Sequence, residues 1–360
     1  MKILHTEASA GWGGQEIRIL TESKVFNDHG HQVILAADKN SQIAKRAVNY
    51  GVPTFAIRLK KKRWADFKAL RTIIKTEKPD LISCHSSTDH WLSALARLTL
   101  KHKSAIVRTR HISTAVHRNF PTKWLYSKGA DAIMTTGISI REHLISDNFV
   151  NKEDVFSIPT GIDTNQFAPG DMKKQREHLG LAQDHFIFGI VATLRSWKGH
   201  ADLIQAFDQL SNPKVTLIIV GDGPQMENCL ALAATTQYPK NIKFFGNQSD
   251  VVPYLQALDC FVLPSYANEG VPQALLQAMA VGIPVISCPI GGIPESVEGY
   301  INSTLVPTRN PEALSAAMDK QIHQLPSTKR ERQTAHSLKR MYDSVLAVYT
   351  LANQKIINRR

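Results

Sequence analysis

Acids and cations in this chain stand directly after short apolar runs, where open α/β sheets assemble their sites beyond the strand ends. In LDCFVLPSYANEGVPQALLQAMAVGIPVISCPIGGIPESV, residues 258–297, an apolar strand runs into a loop with one acid, Glu269. The pattern predicts a helix over residues 271–281, so Glu269, Gly270, Val271 and Pro272 are expected at a helix N-terminus. Unpaired peptide N–H groups there carry partial positive charge and suit a polyol or a phosphate. Gln277, eight residues after Glu269, is expected to face the same cleft. In TLRSWKGH, residues 193–200, Arg195 and Lys198 stand three apart at a strand-to-helix junction. Two such cations offset the charge that grows on a departing diphosphate. As surface charges at a helix start they would need no such role.

Two glycine turns follow the same grammar. GWGGQE, residues 11–16, comes straight after the first apolar run, and Gly13 and Gly14 would let backbone approach a phosphate or a sugar. It is not a GxGxxG fingerprint, which weakens a dinucleotide reading, and it would also serve as a plain tight turn. VGDGP, residues 220–224, is expected to place Pro224 at the first position of a helix. Among 14 histidines, His111 in IVRTRHIS follows a strand directly and is the candidate for a catalytic or sugar-orienting role. His85 and His90 in ISCHSSTDH invite a metal reading, but no acid or cysteine partner has ligand spacing, and no metal site is expected.

The elements that must carry these residues alternate. Short Ile/Val/Leu/Ala runs predict strands at 2–6, 32–36, 54–57, 81–84, 105–109, 132–135 and 155–158, with helices such as 15–29, 64–77 and 91–100 between them. The pattern then restarts with strands at 186–193, 215–220, 242–245, 260–263, 285–287 and 304–306. Runs of this kind fit strands buried on both faces of parallel sheets. IPTGIDTNQFAPG, residues 158–170, carries two prolines and two glycines and marks the boundary. The expected organisation is a domain over 1–165, a second over 166–335, and a tail from 336 to 360. Within a helical stretch beginning near Thr328, Met341, Val345, Val348 and Tyr349 would brace the first domain.

A chain of 360 residues has room for two cores. Its 43% hydrophobic and 21% charged residues are ordinary for globular proteins. No apolar run approaches the roughly 20 residues of a membrane span, and the polar start is unlike a signal peptide. The four cysteines, Cys84, Cys229, Cys260 and Cys288, have no CxxC spacing and read as buried free thiols of a reducing cytoplasm. The net charge of +12 is uneven: residues 1–165 hold 25 Lys/Arg against 15 Asp/Glu. Its densest run, Lys60-Lys61-Lys62-Arg63 before Trp64, is either a contact for an anionic membrane surface or a solvated loop. No nucleic-acid-reading motif accompanies the charge.

Taken in order, GGQE, RTRH at 108–111, IPTGIDTNQF at 158–167, LRSWKG at 194–199, IVGDGP at 219–224 and EGVPQALLQAMAVGIPVI at 269–286 resemble the family 4 glycosyltransferases. The resemblance covers nearly the whole chain. It implies an α/β GT-B fold: two doubly wound Rossmann-like domains facing across a cleft, with a C-terminal helix crossing back. It also implies retaining transfer of a sugar from a nucleotide-diphosphate donor, such as a UDP-sugar or GDP-sugar, without an obligatory metal. Glu269 matches the first glutamate of the E-x7-E motif, on the donor sugar hydroxyls. Gln277 departs from the usual second glutamate on the ribose, so a neutral amide replaces a carboxylate. Arg195 and Lys198 match the cationic pair on the diphosphate, Gly13 and Gly14 the loop over the donor phosphates, and His111 the histidine near the reacting centre. The implied acceptor is a saccharide or lipid-linked glycan, as in lipopolysaccharide synthesis, met at the inner face of the cell membrane. Alternatives are a sugar-nucleotide-binding protein impaired in catalysis and a sugar-nucleotide epimerase of the same fold.

Overall fold

The computed structural model describes residues 1–111, 116–117, 119–146, 150–324 and 332–359. The chain divides into two compact units: residues 1–161 with 338–360, and residues 162–337.

The first unit is built on seven parallel strands, β1 (Lys2–Glu7), β2 (Gln32–Ala37), β3 (Thr54–Ala56), β4 (Leu81–Cys84), β5 (Ala105–Arg110), β6 (Ala132–Thr135) and β7 (Val155–Ser157). Their order is β3-β2-β1-β4-β5-β6-β7. The apolar runs bury both faces of the sheet. Leu4, Ile82, Cys84 and Ile106 form one core, and Ile3, Leu81, Ala105 and Val107 form another on the opposite face. That opposite face is covered by the Gly14–Asp28 helix and by the C-terminal helix Leu338–Ile357. Met341, Val345, Val348, Tyr349, Ala352 and Ile356 make one buried stripe on the latter. Each aliphatic side chain fully buried there stabilises the unit by about 2 kcal/mol. The helix begins at Leu338, later than the polar sequence from Thr328 predicts. Ser337 instead pairs with Ile162 as a parallel bridge, and Ile162 N–H donates to the carbonyl of His336 at 2.7 Å. Residues 325–331 lie outside the described residues.

The second unit holds β8 (Phe186–Val191), β9 (Val215–Val220), β10 (Ile242–Gly246), β11 (Cys260–Leu263), β12 (Val285–Ser287) and β13 (Ser303–Leu305), all parallel. The order β10-β9-β8-β11-β12-β13 is that of a doubly wound Rossmann-like sheet, and β9 is buried along its whole length. In each sheet the strand order reverses once, beside β1 and β4 in the first and beside β8 and β11 in the second. Connections leave in opposite directions at such a point, which opens a crevice at the carboxyl ends of the two strands. Among the described residues, no helix is long and apolar enough to cross a membrane. All four cysteines are free and buried.

Candidate functional site

Lys198 and Glu269 meet at the reversal point of the second sheet. The first follows β8 and the second follows β11, and Lys198 Nζ lies 2.6 Å from Glu269 Oε1. Three turns hold them. Gly199 sits at φ +75°, in the left-handed region, and a Cβ there would stand 2.1 Å from the Pro264 carbonyl oxygen. Only glycine lets the turn after β8 come this close to the end of β11. Tyr266 N–H then donates to the Trp197 carbonyl at 2.9 Å, stitching the same two loops. From the other side Gly291 leaves room for the Glu269 carbonyl, and Gly292 N–H donates to the Gly270 carbonyl at 2.8 Å. Asn268, immediately before the acid, takes φ +56°, a conformation that costs a non-glycine residue energy and clusters at functional sites. The Glu269 side chain is only 6% exposed, so its charge is compensated chiefly by the ammonium.

Several expectations need correction. The helix after Glu269 starts at Gln273, not Val271, and Pro272 is its extended N-cap. Gly270 and Val271 therefore precede the helix, and the free first-turn N–H groups belong to Gln273, Ala274 and Leu275. The cause is steric: a residue before proline is driven out of the helical region. Pro224 likewise precedes a helix that begins at Met226. Arg195, expected with Lys198 on a donor diphosphate, is exposed, and its guanidinium stacks over Trp197 at 5.3 Å. Gln277 is half-buried and one turn beyond Gln273, so the two amides share a helix face.

Three further polar side chains lie near these residues in sequence. Ser265 Oγ, Gln273 Oε1 and both ring nitrogens of His200 are buried and have no hydrogen-bond partner among the described residues. Buried polar atoms are nearly always paired in folded proteins, so these groups are ones that water or a ligand would partner. Burial, helped by Lys198, pushes His200 down to about 4, and its imidazole is neutral at physiological pH. The signal available was position: each lies within five residues of Lys198 or Glu269.

In the first unit, the loop after β1 leads to Gly13, the N-cap of the Gly14–Asp28 helix. Gly13 is extended, and a Cβ there would meet only Glu16 Oε2, at 3.7 Å. Neither strain nor crowding within the protein requires glycine at this position. Glu7, at the end of β1, accepts from Ser9 N–H and Ser86 Oγ, each at 2.6 Å, and from Gln15 Nε2. Burial raises its pKa, with Glu16 adding to the rise.

His111 follows β5 and belongs to a row of three histidines. His111 Nε2 lies 3.0 Å from His85 Nδ1, and His85 Nε2 lies 2.8 Å from His5 Nδ1. Burial, as the largest cause, depresses all three pKa values, so the rings are neutral. His5 was invisible in the sequence because it sits inside the apolar run of β1. Ile112 and Ser113 lie outside the described residues. His90 packs its ring edge-on to Tyr126 and is likewise held neutral by burial.

The chain is similar to known proteins over most of its length. Residues 12–166 match the family described as Glycosyltransferase Family 4, and residues 171–338 match Glycosyl transferases group 1. The UDP-Gal:alpha-D-GlcNAc-diphosphoundecaprenol alpha-1,3-galactosyltransferase of Escherichia coli is 30% identical over 244 residues, 62% of this chain and 61% of that protein. The match thus spans about three fifths of that relative's length. A glycosyltransferase from Rickettsia africae ESF-5 has the same fold, with a TM-score of 0.87 at 21% identity over 98% of both chains. Anabaena Alr3699/HepE in complex with UDP-glucose superposes with a TM-score of 0.78 at 21% identity, over 100% of this chain and 99% of that one. With these matches, the two Rossmann-like sheets and the ordered motifs, the chain belongs to the family 4 glycosyltransferases of the GT-B fold.

Proposed function

We propose that this protein is a retaining glycosyltransferase that moves a sugar from a nucleotide-diphosphate donor to a hydroxyl of a saccharide or lipid-linked acceptor. The observation that carries the reading is the Lys198–Glu269 pair at the reversal point of the second sheet. When a donor binds, the ammonium turns to the diphosphate and the carboxylate accepts hydrogen bonds from sugar hydroxyls. Arg195, exposed and stacked over Trp197, adds the second cation. Gln277 then holds the ribose as a neutral partner. No metal is required, because the two cations neutralise the leaving group. UDP-glucose in the HepE complex and the UDP-Gal donor named for the Escherichia coli relative favour a UDP-sugar.

No side chain here is read as a nucleophile, so the reaction is proposed as a front-face displacement. The leaving phosphate oxygen takes the acceptor proton as the glycosidic bond breaks and the new one forms. Rate then comes from positioning and from stabilising the departing charge. Turnover measured by nucleotide release, with and without acceptor, tests this. Lys198→Ala is expected to lower kcat by about two to three orders of magnitude, the range for a lost oxyanion-type contact. A rate within twofold of wild type would exclude the assignment, and donor binding without any release would favour a binding protein.

The acceptor is proposed to be membrane-borne. Lys60, Lys61, Lys62, Arg63 and Trp64 are all exposed, and Trp64 stacks on Phe67 at 5.0 Å beneath Lys68. A peripheral stay on the inner membrane face, with lipopolysaccharide or another surface glycan as product, accords with the lipid diphosphate named for the Escherichia coli relative.

A further inference from the structure

We propose that Glu22, Tyr349, Ser83 and His85 form a hydrogen-bond wire that holds His111 as its Nε2–H tautomer, with a bare Nδ1 facing a substrate hydroxyl. The inference rests on the reading of His111 as a residue near the reacting centre.

The wire follows from strand register. His5 pairs with Ser83, Ser83 pairs with Val107, and His85 and His111 stand two and four residues further on, each directly after the end of its strand. Alternation keeps His5, Ser83, His85, Val107 and His111 on one side of the sheet. It is the side covered by the Gly14–Asp28 and C-terminal helices. Tyr349 Oη, from the C-terminal helix, lies 2.6 Å from Glu22 Oε1 and 3.0 Å from Ser83 Oγ. Ser83 Oγ lies 3.2 Å from His85 Nε2. Arg18 sits 3.7 Å from the other Glu22 oxygen and donates to the Ile158 carbonyl at 2.7 Å, which fixes the inner end.

Hydrogen counting gives the direction. A tyrosine hydroxyl has one hydrogen, and the closer, charged acceptor takes it. Burial and the Glu22 carboxylate both hold Tyr349 protonated. Its oxygen can then only accept, so Ser83 donates to Tyr349 and keeps lone pairs for His85 Nε2–H. His85 Nε2–H is thereby turned inward, also toward His5 Nδ1, and His85 Nδ1 is bare. Bare Nδ1 accepts from His111 Nε2–H. Turning the histidine bonds round while Ser83 still donates to Tyr349 would set the Ser83 and His85 lone pairs against each other, and turning Ser83 as well would set its lone pairs against those of Tyr349, whose one hydrogen is held by Glu22. Each donor points toward Glu22, so a charge four hydrogen bonds distant selects the tautomer of His111. Among the described residues His111 Nδ1 makes no hydrogen bond, and it is the nitrogen left to accept one from a sugar. Only His111 touches substrate in this scheme; the others are positioning residues.

The test reads the His111 ring nitrogens by long-range proton–nitrogen NMR in the full chain, beside kcat and KM for the donor. Wild type is expected to show a protonated Nε2 and a bare Nδ1. Tyr349→Phe and Ser83→Ala, checked for native melting, should each give mixed tautomers, and kcat should fall about tenfold, the worth of one hydrogen bond. Ser83→Thr should restore both. A protonated Nδ1 in wild type, or an unaltered tautomer in both variants, overturns the wire. Full activity in His111→Ala with the wild-type tautomer as expected would instead overturn the role of His111 while leaving the wire standing.

Discussion

At the scale of single residues, the carboxylate and ammonium at positions 269 and 198 explain one another. Separately, each would be an uncompensated charge near the end of a buried strand; together they wait as a pair that a donor can part. His200 adds a testable consequence. Its pKa is near 4 in the folded chain against an ordinary 6.5, because burial and then Lys198 disfavour the imidazolium. Between these values the unfolded chain binds a proton that the folded chain refuses, so this contribution is complete above pH 6.5 and is lost as pH falls toward 4. Each pH unit in that window removes about 1.4 kcal/mol per such group. Urea midpoints from pH 7 to 4.5 are expected to fall, and His200→Gln should fall less steeply. Parallel curves for the two proteins would contradict a neutral buried His200.

At the scale of elements, the strands were legible because near-continuous Ile/Val/Leu runs have few other uses. All thirteen runs read as strands form strands, with ends within one or two residues. The Trp64–Glu77 helix was also read with its observed ends. Helix starts were harder. Pro272 caps from outside and Pro224 stands two residues early, since both positions depend on how the preceding loop packs. The polar stretch before Leu338 has helical composition, but tertiary pairing of Ser337 with Ile162 overrides it. Of the site, the motif residues were legible and their partners were not. Tyr349 looked like one more apolar stripe position, and nothing local says that its hydroxyl reaches Glu22. Ser265 and Gln273 gave no signal beyond proximity. The basic run ahead of the Trp64 helix makes its own prediction. The protein should sediment with vesicles containing anionic lipid and release as salt rises, since exposed charges are screened beyond about 10 Å at 0.1 M. Replacing Lys60, Lys61, Lys62 and Arg63 by Ser should abolish this with donor turnover in solution unchanged. Equal binding of both proteins to neutral vesicles would contradict the electrostatic contact.

At the scale of the molecule, the two units share one plan: a parallel sheet, a single reversal of strand order, and polar side chains gathered at that reversal. The first unit gathers histidines and carboxyl groups around β1, β4 and β5, and carries most of the positive charge. The second gathers a cation and an acid on glycine turns that admit nothing larger. This division accords with an acceptor side and a donor side. It also gives the C-terminal helix a purpose beyond packing, since Tyr349 takes part in the histidine row it covers.

The central claim is that Lys198, Arg195 and Glu269 together take hold of a nucleotide sugar, and a crystal structure with a UDP-sugar bound tests it most directly. The account predicts diphosphate oxygens on the Lys198 ammonium and the Arg195 guanidinium, a sugar hydroxyl on the Glu269 carboxylate, and the Lys198–Glu269 contact opened. A donor seated away from these three side chains, with the 2.6 Å pair intact, would contradict it.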